Sequence, residues 1–267
     1  MLAQSLVSFL QARTERYGGA VNGHDWIKFI AIIIMTIDHI GFFFAPDQIW
    51  YRVVGHWGFP IWFFLAGYAR AGAFPRSFIV LAVLMAAINP AAAFPVFPLN
   101  AIFSIMICRY IVQVLDRYRD WMFKNLIEIA ALLVILIPFT DLIFEYGTLA
   151  ILCALMGYMR RTEAPKRLYD WYVLGLFVIY MAWQIDHFRF DELEAIGAFL
   201  GTAVCFYVLY DFKREGAFPA LRDGFAAGMV KFLSRNSLYY YFAHRVAFQI
   251  VFALWLLPPG IERLRWF

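Results

Sequence analysis

Apolar residues in this chain gather in long runs broken by short polar or Pro/Gly-containing segments, without the two-residue alternation of half-buried strands. Nine runs stand out, at about 26–44, 53–69, 77–96, 99–115, 125–143, 145–159, 168–186, 194–211 and 236–257. Each approaches the roughly 20 residues an α-helix needs to cross a hydrocarbon core about 30 Å thick. The pattern predicts an all-α protein, a polytopic transmembrane helical bundle of about nine spans forming a single integral membrane domain over residues 1–267. Pro95 and Pro98 mark a tight turn between the third and fourth runs, and Pro138 is placed to kink or end the fifth. Ahead of the first run, Leu2, Leu6, Phe9 and Leu10 recur at helical spacing beside Gln11, Arg13, Glu15 and Arg16. That predicts an N-terminal interfacial amphipathic helix within residues 1–22, ahead of a transmembrane bundle over residues 26–257. Residues 1–20 lack a basic start, a continuous apolar core and an AxA-like site, so no cleavable leader is expected.

Composition changes the picture by naming the solvent. The 267 residues are 63% hydrophobic, 20% aromatic and only 16% charged, with a mean hydropathy of +0.67. A soluble domain carries roughly 45–50% apolar and about 25% charged residues, so the excess must face lipid. The net charge of +4 points to no nucleic-acid partner, because the basic residues sit in short clusters between the runs, where topology explains them. Taking the loops alternately, sixteen Lys and Arg fall on one side and four on the other, which predicts a cytoplasmic N-terminus and an external C-terminus. Cys108, Cys153 and Cys205 each lie inside a separate apolar run with no CxxC or CxxH spacing, so neither a disulfide framework nor a metal site is expected.

Against that background the stretch MTIDHIGFFF, residues 35–44, is anomalous: Asp38 and His39 interrupt the first run. A charged side chain at the centre of a span costs about 2.5–3.5 kcal/mol on insertion scales, and intramembrane ionisable residues are functional by default. Neighbours on a helix point roughly 100° apart, so Asp38 and His39 cannot pair with each other and must each find a partner on another helix. Arg52, His56, Asn100, Asp141, Glu145 and Tyr146, with Asp186 and His187, fall at the same ends of their runs as His39; Arg109, His244 and Arg245 lie deeper. This distribution predicts a polar cavity reaching from that surface to mid-membrane. Blander roles stay open: Arg52 as a helix terminator, His56 as a structural hydrogen-bonding group, Arg109 as a counter-ion to Asp38, the charges from Asp186 to Glu194 as a solvated loop, and Lys28 as a snorkelling cation with a smaller chance of meeting an anionic donor.

Several separated segments resemble one family, the TraX family of integral membrane proteins, named after the pilin acetylase of F-type conjugative plasmids. The family opens with D-x-x-K-x-x-A-x-x-x-M-x-x-D-H-x-G, and DWIKFIAIIIMTIDHIG supplies Asp25, Lys28, Ala31, Met35, Asp38, His39 and Gly41. YRVVGHWGFPIWFFL is similar to R-x-x-G-R-x-x-F-P-x-F-x-F-L, matching Arg52, Gly55, Phe59, Pro60 and Leu65 and departing at His56, where the family usually has arginine. Asn100 in PLNAIFS, Glu145–Gly147 in EYGTLAIL and His244 in YYYFAHRVAF resemble later family elements, with Ala243 replacing a proline. The resemblance implies a bacterial inner-membrane acyltransferase that acetylates the N-terminal amine of a pilin subunit, with acetyl-CoA as donor and no permanently bound cofactor. It also implies kinship with sugar-modifying acyltransferases and with relatives of cyclic pilins.

Acyl transfer needs a base for the acceptor proton and a donor or cation for the developing oxyanion. His39 suits the base, with Asp38 or Glu145 to orient it, so Asp38 and His39 are the catalytic candidates. Arg52, His56, Asn100, Arg109, Glu145, Tyr146, His244 and Arg245 are the substrate-binding candidates, with Arg52, His56 or Arg109 available to an oxyanion, carboxylate or phosphate. No GxSxG, HExxH, GxGxxG or P-loop occurs. The expected partners are membrane lipid and a pilin or other membrane-associated acceptor. Three other readings share these residues: a head-to-tail pilin cyclase, a polysaccharide O-acetyltransferase and a proton-coupled transporter. The absence of a visible repeat counts against the last.

Overall fold

A computed structural model describes residues 19–69, 76–91, 94–213, 221 and 224–255; the interfacial helix expected within residues 1–22 lies largely outside them. Among the described residues the chain is almost wholly helical, without strands, and a lone β-bridge joins Leu99 to Phe144. Twelve helices follow in order: α1 Gly23–Phe44, α2 Trp50–His56, α3 Phe59–Tyr68, α4 Arg76–Ala91, α5 Ala101–Arg117, α6 Arg119–Lys124, α7 Leu126–Thr140, α8 Gly147–Arg161, α9 Lys166–Phe188, α10 Glu192–Tyr210, α11 Phe225–Arg235 and α12 Ser237–Trp255. Every apolar run meets a helix. By length and composition, α1, α9 and α10 are long and apolar enough to cross a membrane, while α4 and α7 are shorter apolar helices.

Caps set several starts. Asn22 accepts from the backbone N–H of Asp25 while the Asp25 carboxylate accepts from the Asn22 N–H, a capping box that opens α1. Asp191 and Glu194 do the same for α10. Pro138 does not end its helix at once; α7 runs on to Thr140, whose hydroxyl donates back to the Leu136 carbonyl.

The second run differs from expectation, because it is two helices rather than one. Pro60 has no N–H to give the carbonyl of His56, and its ring crowds that carbonyl, so the helix breaks at Trp57–Gly58. The freed His56 carbonyl accepts instead from the Tyr180 hydroxyl on α9, at 2.5 Å.

The core is built around α8, which is buried on all sides from Gly147 to Met159. It crosses α3 backbone against backbone: a Cβ on Gly67 would collide with Ala154, and one on Gly157 with the Phe64 carbonyl. The opposite character appears on α7, α9 and α10, where Ile127, Leu132, Ile135, Phe139, Leu174, Val178 and Val204 are exposed large apolar side chains. So wide an apolar exterior suits lipid.

Candidate functional site

A cavity of about 220 Å³ runs alongside α1, lined from His24 and Lys28 through Met35 to Asp38 and His39. Its other walls are Gly55, Phe59, Trp62 and Ala69 from α2 and α3 with the residue after it, Ile102 to Arg109 of α5, and Ser237 to Tyr241 of α12. These walls agree on which groups share an end. Gly55 touches Asp38, the start of α5 is tied to Glu145, and Tyr241 sits 5.9 Å from the His39 ring. Lys28, Arg109, Ala69 and Ser237 therefore lie toward the other end, about 16 Å from His39 along α1 at 1.5 Å per residue. The cavity is longer than expected, since it continues to the first turn of α1.

At the His39 end, Asp38 and His39 diverge as neighbours on a helix must. Asp38 turns to α2, where its Oδ2 accepts from Arg52 Nη1 at 2.9 Å. The Arg52 guanidinium also lies over the rings of Phe42 and Phe188. His56 Nδ1 stands 3.3 Å from Asp38 Oδ1 and 3.0 Å from the Arg52 carbonyl. The ring hydrogen is directed mainly at the nearer carbonyl, so the buried Asp38 Oδ1 has only the longer approach of His56 and no hydrogen bond of good geometry.

His39 turns to α12. Its Nδ1 is 2.6 Å from His244 Nε2, and His244 Nδ1 is 2.7 Å from the Tyr240 carbonyl. A carbonyl only accepts, so His244 carries its hydrogen on Nδ1. With both rings neutral, its Nε2 is then an acceptor, His39 must donate from Nδ1, and the lone pair of His39 falls on Nε2. The partner that orients His39 is thus His244, not the Asp38 or Glu145 carboxylate expected. His244 was sought as a substrate ligand; its Nδ1–Tyr240 spacing, i to i−4 on one helix, was readable, but its meeting with a helix 205 residues away was not.

Glu145 anchors a second cluster. Its Oε1 accepts from Arg245 Nη1 at 2.9 Å and its Oε2 from the Ala101 N–H at 2.9 Å. Arg245 also donates to the Tyr241 hydroxyl. Tyr146, at positive φ between the loop and α8, packs its ring 4.2 Å from Phe59 and lines the cavity.

Asn100 is engaged structurally: its Oδ1 caps α5 through the Ile102 N–H and its Nδ2 donates to the Ala82 carbonyl, leaving the residue 1% exposed. Arg109 is not the counter-ion of Asp38, because Arg52 holds that position and Arg109 lies toward the Lys28 end. Asp25, noted in the sequence only as a match to the family pattern, has its carboxylate held by Arg235 at 2.7 Å and by the Ser234 hydroxyl. That contact lies 210 positions apart in the chain and leaves no trace in local pattern. Among the described residues no group of three or more metal-ligating side chains is placed to hold a metal ion.

Comparison with known proteins bears on the whole arrangement. The family model described as TraX protein matches residues 23–223. This chain belongs to the TraX family. It is also similar to an uncharacterized protein, RP591, of Rickettsia prowazekii (strain Madrid E), at 23% identity over 241 residues, covering 86% of this chain and 92% of that protein. No solved structure matches. The matched segment carries Asp38, His39, Arg52, Glu145 and the cavity walls from α1 to α5, while the orienting His244 lies beyond it.

Proposed function

We propose that this TraX-family protein is a membrane-embedded acyltransferase that moves an acetyl group from acetyl-CoA to the N-terminal amine of a pilin subunit. The observation that carries this reading is the chain His39–His244–Tyr240 carbonyl at the cavity wall. It leaves His39 Nε2 as a base and gives the imidazolium formed on proton uptake an acceptor for its other hydrogen.

In this reading the uncharged amine donates a hydrogen bond to Asp38 Oδ1, the buried acceptor that His56 approaches only at 3.3 Å. Its nitrogen attacks the thioester carbonyl, a C–N bond forms and the C–S bond breaks. The amine proton passes to His39 Nε2 and then to the departing thiolate, so that amide and thiol leave. Arg52 holds Asp38 and is itself clamped between aromatic rings, which keeps the carboxylate where the nucleophile must sit.

The proposed topology has nine crossings in a bacterial inner membrane, with the N-terminus in the cytoplasm. The Lys28 end of the cavity then opens inward and the His39 end outward, toward a membrane-held acceptor. Replacing His39 by Ala should lower acetylated acceptor by roughly 10²–10⁴-fold, the usual contribution of a positioned base, with the protein still monodisperse in detergent. Intact-mass analysis of the acceptor checks it, and product unchanged in the variant removes His39 from the chemistry. A product lighter by one water would instead indicate head-to-tail closure.

A further inference from the structure

The groups lining the cavity are sorted by charge along its length. Among the described residues the acidic groups that line it, Asp38 and Glu145, lie at the His39 end, each held by an arginine. The other end presents Lys28 and Arg109 with His24 beside them, and Asp25, the acid of the same turn, faces away into Arg235 and Ser234. Between the two ends stands Trp62, which lines the cavity and whose indole Nε1 is buried without an acceptor. An indole N–H is a donor only, and leaving it unmet in a closed site costs about 1–3 kcal/mol, so the position suits a ligand oxygen.

We infer that the Lys28 end of the cavity is a binding subsite for the phosphate of a phosphopantetheine-type arm, which lies lengthwise with an amide oxygen on Trp62 Nε1 and its reactive terminus at His39. Three features of such an arm match three features of the wall in order. Its phosphate meets the cations, its amide meets an unsatisfied donor, and its thiol end reaches across about 16 Å to the histidine pair. Phe63, Ala66, Phe78 and Ile105 line the apolar stretch and suit a slender chain rather than a branched or sugar-bearing one. The inference rests on the acyl-transfer reading for the direction in which the arm lies. Donor and acceptor then arrive from opposite ends, and neither crosses the other's path.

Calorimetric titration of the full-length protein in lipid nanodiscs with coenzyme A, 4′-phosphopantetheine and pantetheine tests it. Lys28→Gln and Arg109→Gln should each weaken the two phosphate-bearing probes by about tenfold or more, the usual scale of a charged hydrogen bond, and leave pantetheine nearly unchanged. Lys28→Arg should keep the affinity, which separates lost charge from lost fold. Trp62→Phe should weaken all three probes by about fivefold. Equal binding of coenzyme A and 4′-phosphopantetheine means that the arm alone is recognised, as on a carrier protein; tighter coenzyme A means that the nucleotide is read as well. Binding of neither phosphate-bearing probe, or undiminished binding by both charge variants, overturns the subsite. A parent protein that holds coenzyme A through Lys28 but acetylates no amine retains this inference and loses the acyl-transfer reading.

Discussion

Asp38 and Glu145 look alike, since each is a carboxylate at the His39 end of the cavity and each holds an arginine at 2.9 Å. They differ in what the second oxygen does. Glu145 spends it on the Ala101 N–H, and the backbone on either side is also committed: its N–H donates to Leu99 and its carbonyl accepts from Ser104. It is a joint that fastens the loop before α8 to α5 and α12. Asp38 leaves its second oxygen, in a buried position on the cavity wall, with only the 3.3 Å approach of His56 Nδ1, which keeps room for a further donor. A carboxylate fully satisfied by protein therefore signals architecture, and one half satisfied in a cavity wall signals a ligand.

The largest effect should follow from breaking the joint. Glu145→Ala removes the carboxylate partner of Arg245 and the acceptor of the Ala101 N–H, a loss of about 3 kcal/mol for a broken, largely buried pair, visible as a lowered unfolding temperature in detergent. A melt like the parent's would place Glu145 with the ligand groups instead. Asp38→Asn should invert that outcome, with stability nearly kept and turnover down roughly 10²-fold through lost positioning of the nucleophile. Gly55→Ala sharpens the point without touching a carboxylate, because a Cβ there collides with the Asp38 side chain. It should cost about 1–3 kcal/mol and lower activity, whereas the same change at exposed Gly228, which meets nothing, should do neither. The smallest effect belongs to Tyr180→Phe, which leaves the His56 carbonyl without its hydroxyl and should lower stability by about 1 kcal/mol in the same melt.

The helical membrane architecture was legible because hydrophobic runs are a one-dimensional signal, and each of the nine met a helix. The division of labour among those helices was not. LIEIAALLVILIPFT in α7 and GTLAILCALMGYMRR in α8 are both apolar, yet the first lies outside and the second at the centre. In lipid, apolarity no longer separates inside from outside; small residues at crossing points do, as Gly67 against Ala154 and Gly157 against Phe64 demonstrate. At the site, the rule that Asp38 and His39 need separate partners followed from helix geometry alone. Which partners they find is a tertiary matter. Arg52 lay fourteen residues off and was a named candidate for the site, whereas the pairing of His39 with His244 needed coordinates. The capping role of Asn100 was not legible, because a cap asparagine and a ligand asparagine look the same before a helix until the partners of its oxygen and nitrogen are known.

The hydroxyl that closes the Pro60 break has a consequence for the birth of the molecule. Tyr180 is translated 124 positions after His56, and at roughly 5–20 residues per second it emerges about 6–25 s later. Until then the His56 carbonyl at the Pro60 break lacks the hydroxyl that meets it in the finished fold. The cavity waits longer still, because its wall from Ser237 to Tyr241 belongs to α12, the last helix in chain order among the described residues.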